Sequence, residues 1–179
     1  LSGSSAASDV YKRQVVYSVF LKRRTPQNIV IGGAAGAFPP IIGWVAMTES
    51  INLLHIILFI IIFLWTPPHF WSLALVKTEE YKKANIPMMP NVVGESSTKN
   101  QILFYSFLLL ISSLSPFILG LTGYIYFFGS FTMSLGFCFL SIGLIIFPNR
   151  KLEIPLFVYS IFYLFGIFVF LVIDKYFVV

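Results

Sequence analysis

Three apolar runs fill the second half of the chain: Ile102 to about Leu121, Tyr124 to Phe147, and Leu156 to Ile173. Each is long enough for a membrane span, which takes about 20 apolar residues. Two more lie upstream, Ile29 to Met47 and Leu53 to Val76. In lipid every backbone N–H and C=O must find a partner within the protein, so runs of this kind fold as helices. Composition agrees: 58% of residues are hydrophobic and 11% charged, against about 25% charged in a soluble domain. The expected fold class is therefore all-α, a polytopic transmembrane helix bundle with about five complete spans. Val15 to Leu21 adds the tail of another span. The lone Cys138 excludes a disulfide framework and a cysteine-based metal site.

Leu1 to Gln14 is polar and Ser/Ala-rich, with neither an apolar core nor a cleavage pattern, so it is not a signal peptide. It reads as a foreign or disordered head. The membrane domain is expected over 15–179, starting inside an apolar run as the C-terminal portion of a longer protein. The links between spans sort the charge. Lys22, Arg23, Arg24, Lys77, Lys82, Lys83, Lys99, Arg150 and Lys151 fall on one side, and outside the head only Lys175 falls on the other. The positive-inside rule makes the basic side cytoplasmic, or the matrix side in a mitochondrion.

Two features on that side carry the candidate chemistry. The first is Lys22-Arg23-Arg24-Thr25-Pro26-Gln27-Asn28, which leads into a helix. Cations beside free helix N–H groups make a phosphate site, and Thr25 or Asn28 would cap that start. A basic loop that only orients the protein and meets anionic lipid is the commoner outcome of charge alone. The second is Phe63-Leu-Trp-Thr-Pro-Pro-His-Phe-Trp71 with its polar tail Lys77-Thr-Glu-Glu-Tyr-Lys-Lys83. Pro67 and Pro68 remove two backbone donors inside a span. An ionisable group there, His69, is a functional candidate by default, although a packed structural histidine is about equally common. If the helix resumes after Pro68, His69 and Glu80 share one stripe roughly 16 Å apart, with Lys77 beside Glu80 at i,i+3. His69 then sits deep, near Trp65, Phe70 and Trp71, and Glu80 sits at the mouth. Glu79 and Glu80 are candidate Mg²⁺ ligands beside a substrate phosphate; a solvated helix end is the simpler account of them. His55 reads as structural.

The run Tyr17 to Trp44, with its Lys-Arg-Arg-Thr-Pro-Gln-Asn core, resembles the signature of the protohaem IX farnesyltransferase (haem O synthase) family of UbiA-type intramembrane prenyltransferases. So do Leu64 to Leu75, Glu80-Tyr81 and Ala84-Asn-Ile-Pro-Met-Met-Pro90. The resemblance covers Val15 to Val179. It implies a nine-helix fold of which this is the C-terminal part. It also implies Mg²⁺-dependent transfer of the farnesyl group of farnesyl diphosphate to a vinyl group of haem b, giving haem O for haem–copper oxidases. The site residues it implies are Lys22, Arg23 and Glu80 for catalysis, with Glu80 a metal ligand. Thr25, Asn28, Trp65, His69, Phe70, Trp71, Lys77 and Tyr81 would bind substrate, and Lys77 to Asn100 would form a mobile lid. A bacterial or mitochondrial inner membrane, a haem A synthase partner and no nucleic acid are further implications. Two departures stand out. The family's first Asp-rich motif has no match here, so the chain alone is expected to be inactive, and Glu80-Tyr81 stands where relatives carry Asp-Tyr. A transporter and a non-catalytic membrane subunit are the competing classes. The chain shows no internal repeat, and its charges cluster at one mouth instead of along a path.

Overall fold

The computed structural model describes residues 28–84, 87–148 and 151–177. Four helices are long and apolar enough to cross a membrane. They are α3 (Leu53–Val76), α6 (Glu95–Ile118), α7 (Tyr124–Ile146) and α8 (Glu153–Phe177). The shorter helices are α1 (Asn28–Gly36), α2 (Pro39–Thr48), α4 (Thr78–Lys83) and α5 (Met89–Val93). No strand occurs among the described residues, as the apolar runs predict. The protein is an integral membrane helix bundle.

The expected first span, Ile29 to Met47, is two helices. Gly36 ends α1, and Pro39 and Pro40 occupy the opening positions of α2. Two consecutive prolines supply no N–H to the turn before them and fit best at a helix start. Pro67 and Pro68 have the opposite outcome: α3 runs unbroken through both. There Thr66 Oγ1 donates to the Ile62 carbonyl at 2.8 Å, and the prolines are buried. Neighbouring protein shields the backbone groups that the missing N–H donors leave free. At the start of α3 the Asn52 side chain caps the Leu54 N–H at 3.0 Å. His55 stacks on Trp44 at 4.2 Å, fastening α2 to α3.

The four long helices close into a ring in which α3 packs on α6 and α8, and α7 packs on the same two. Buried serines and glycines sit among the large apolar side chains at their contacts, as expected where lipid supplies no hydrophobic drive between helices. Ser106 and Ser141 share a hydrogen bond at 2.8 Å. Tyr163 Oη on α8 bonds Ser113 of α6 and Ser134 of α7. Gly129 and Gly136 let α7 lie against Phe170 and Tyr159, because a Cβ at either would collide with those side chains. Gly120, at φ 69°, takes the left-handed conformation that closes α6.

Each end of the ring is tied. At one end Lys99 of α6 pairs with Glu153 of α8 at 3.3 Å, both mostly buried. At the other, the buried Asp174 accepts from the N–H groups of Gly123 (2.6 Å) and Tyr126 (3.2 Å), and Lys175 donates to the Leu121 carbonyl at 3.0 Å. Lys99 and Lys175 thus sit at opposite ends of α8, which agrees with the charge sorting. The segment Lys77 to Asn100 is not a free flap over its described residues. It folds as α4, α5 and the first turns of α6, and Met88, Met89 and Pro90 are buried against the bundle.

Candidate functional site

Trp65 and His69 are four residues apart on α3 and therefore share a face. Their rings stack at 4.3 Å with an interplanar angle of 19°. Phe157 of α8 stacks on His69 at 4.7 Å and 24°, so the imidazole is held between an indole and a phenyl ring. Phe70 meets it edge-on at 5.1 Å. Ser160, also on α8 and completely buried, anchors both site side chains. Its carbonyl accepts from Trp65 Nε1 at 2.8 Å. Its Oγ lies 2.6 Å from His69 Nδ1.

Two grooves meet at Trp65. One, about 520 Å³, runs along α8 and is lined by Trp65, His69, Phe157, Ile161, Phe165 and Phe168, among others. The second, about 300 Å³, lies between α1 and α3, with Ile29, Gly32, Gly33 and Gly36 on one wall and Trp65, Thr66 and Phe70 on the other. Volumes of about 300–1,000 Å³ with few polar groups are typical of small-molecule sites. Trp65, His69 and Phe70 thus come together as the sequence predicts. Trp71 does not join them. At 100° per residue along the helix it points away from Phe70, is 1% exposed, and packs edge-on against Tyr105 at 5.4 Å.

The polar tail is separate. Lys77 ends α3 and starts α4 with non-helical backbone angles (φ −102°, ψ 22°), so the single helical stripe expected from His69 to Glu80 is interrupted there. The i,i+3 contact does form: Lys77 pairs with Glu80 at 3.1 Å, and Lys82 pairs with Glu79 at 2.9 Å, all well exposed. Tyr81 is partly buried against the core. Two adjacent glutamates diverge around a helix, and each of these is occupied by a lysine. Among the described residues no three His, Cys, Asp or Glu side chains converge. The described residues by themselves therefore do not make up a donor set for the Mg²⁺ that the resemblance implies. Lys22, Arg23 and Thr25 lie outside the described residues, as do the head (1–14) and the side chain of Asn28.

The α8 half of the site, Phe157 and Ser160, is not apparent from the sequence. Both sit in an apolar run with nothing to mark them; only the pairing of α8 with α3 brings them to His69.

The chain is 49% identical to the protoheme IX farnesyltransferase of Thioalkalivibrio sulfidiphilus, over 90% of this chain and 54% of that protein. It is 51% identical to the protein of the same name from Bartonella henselae, over 89% of the chain and 53% of the relative. For Erythrobacter litoralis the identity is 49%, over 98% and 59%. The chain thus spans a little over half the length of these curated relatives. No solved structure matches it. The family model described as the UbiA prenyltransferase family matches residues 13–172, nearly the whole chain and all the described helices but the last turns of α8, so the chain belongs to the UbiA prenyltransferase family.

Proposed function

We propose that the protein to which this chain belongs transfers the farnesyl group of farnesyl diphosphate to a vinyl group of haem b, making haem O for haem–copper oxidases. The observation that carries this reading is the roughly half-identical match, over about nine-tenths of the chain, to proteins named protoheme IX farnesyltransferase. The two grooves support it, since a transferase must hold two apolar substrates side by side. In the proposal the allylic C–O bond to diphosphate breaks and a C–C bond forms to the terminal vinyl carbon. Water then adds to the cation left on the inner vinyl carbon and releases a proton. Lys22 and Arg23 balance the charge developing on diphosphate, with Thr25, Asn28, Lys77, Glu80 and Tyr81 around it at the mouth. The faces of Trp65 and Phe70 shelter the allylic cation, and the lipid-embedded bundle keeps bulk water from it.

In this reading the mouth faces the cytoplasm of a bacterial inner membrane, or the mitochondrial matrix, and a haem A synthase takes the product. Mg²⁺ dependence belongs to the proposal as well, as an implication of the family resemblance. The test is turnover by the full-length protein given haem b, farnesyl diphosphate and Mg²⁺. Haem O is the expected product. Lys22→Ala and Glu80→Ala are expected to abolish its formation without loss of membrane insertion. Wild-type turnover in both variants refutes the diphosphate site, and no haem O from the unaltered protein refutes the function.

A further inference from the structure

Among the described residues that line the groove along α8, His69 is the one ionisable side chain, and the hydrogen bonds around it fix which ring nitrogen carries the proton. Ser160 Oγ lies against both His69 Nδ1 and the Phe157 carbonyl. A carbonyl only accepts, so the single hydroxyl hydrogen of Ser160 goes to Phe157. The contact with His69 then needs its hydrogen from the imidazole: Nδ1–H donates to Ser160 Oγ. In the neutral ring this leaves Nε2 with a bare lone pair. No described residue hydrogen-bonds Nε2. Both ring faces are covered, by Trp65 and Phe157, so His69 cannot stack on a flat ligand. What it offers to the groove is one in-plane lone pair.

From this we infer that His69 Nε2 is a ligand to the iron of the haem substrate and that Ser160 is the positioning residue that sets its tautomer. The inference rests on the proposed function for the identity of the ligand, and it decides how His69 meets it. An ionised propionate is itself an acceptor and gains nothing from a lone pair, whereas iron(III) or iron(II) takes an imidazole nitrogen readily. Metal-bound histidines characteristically donate their other N–H to a fixed acceptor, which orients the ring and raises its basicity. Here that acceptor is a buried serine on the neighbouring helix. The remaining groove wall is aliphatic and aromatic, suited to a porphyrin face.

The test is equilibrium titration of ferric protohaem into the full-length protein in detergent, without farnesyl diphosphate, read by absorption and electron paramagnetic resonance. A histidine-ligated spectrum is expected. His69→Ala should abolish that signature and weaken binding at least about tenfold, and added imidazole should restore it, which a misfolded variant would not allow. Ser160→Ala should weaken binding by about 10–100-fold, the usual effect of losing such a partner, with an altered ligand-field spectrum. Haem dimethyl ester, which has no propionate charge, should still give the histidine-ligated spectrum. An unchanged spectrum in His69→Ala overturns the inference, as does loss of the signature with the dimethyl ester alone. Unchanged affinity and spectrum in Ser160→Ala overturn the role of Ser160. Because no turnover is measured, these results are independent of whether haem O is made.

Discussion

At the scale of single residues, two neighbouring glycines on α1 make opposite demands. A Cβ added at Gly33 would sit 2.8 Å from Thr66 Cγ2 and 3.0 Å from Thr66 Cβ, whereas one at Gly36 meets nothing within 4 Å. Thr66 is buried and its hydroxyl is committed to the Ile62 carbonyl, so it has little room to yield. Gly33→Ala is expected to destabilise the packing of α1 on α3 by about 1–3 kcal/mol, as overpacking does. Gly36→Ala should be close to neutral. Thermal unfolding of both variants in one detergent checks this, and equal midpoints would contradict the close approach. The sequence shows a small-residue run and hence a close helix contact. It does not say which glycine makes the contact, because that depends on where Thr66 falls across the interface.

At the scale of elements, α7 begins without a cap of its own. Gly123 precedes it and has no side chain to offer. The capping acceptor comes from the far end of α8, where the Asp174 carboxylate takes the N–H groups of Gly123 and Tyr126. A carboxylate at a helix N-terminus also gains from the helix dipole. Asp174→Ala removes both bonds inside the protein and should cost about 1–3 kcal/mol. Asp174→Asn keeps an acceptor and should cost less. Chemical unfolding followed by helical circular dichroism distinguishes them, and an Ala variant as stable as the unaltered protein would show the contact to be incidental. From sequence alone Asp174-Lys175 reads only as the polar end of the last span. Its capping role needs the antiparallel return of α8 to the α6–α7 loop.

At the scale of the whole molecule, the described chain brings together an apolar, aromatic half of a site and leaves its polar half sparse. His69, Trp65, Phe157 and Ser160 are well fastened, while Glu79 and Glu80 are exposed and paired with lysines. The chain spans a little over half of its curated relatives, and the family resemblance puts the main Asp-rich motif on an earlier helix. The purified chain by itself is therefore expected to give no haem O from haem b, farnesyl diphosphate and Mg²⁺ under conditions where the full-length protein does. Measurable product from the chain alone would overturn that expectation.

Hydropathy and charge placement determined the class of this protein: a helix bundle, its complete membrane spans to within one broken span, and the bounds of α3 to the residue. These follow from local rules, since a lipid-exposed backbone must satisfy itself within each segment. Local rules also place Trp65 and His69 on one face of α3. What they leave open is the effect of each proline pair. Pro39 and Pro40 divide a span, whereas Pro67 and Pro68 sit within a continuous helix, and the surrounding packing decides between these outcomes. Likewise Ser160 and Phe157 are distant in sequence from His69, and nothing in an apolar run distinguishes them. Only the packing of α8 against α3 makes one serine the hydrogen-bond partner of the histidine and one phenylalanine its stacking face, because the state of an imidazole is set by the groups around it in space.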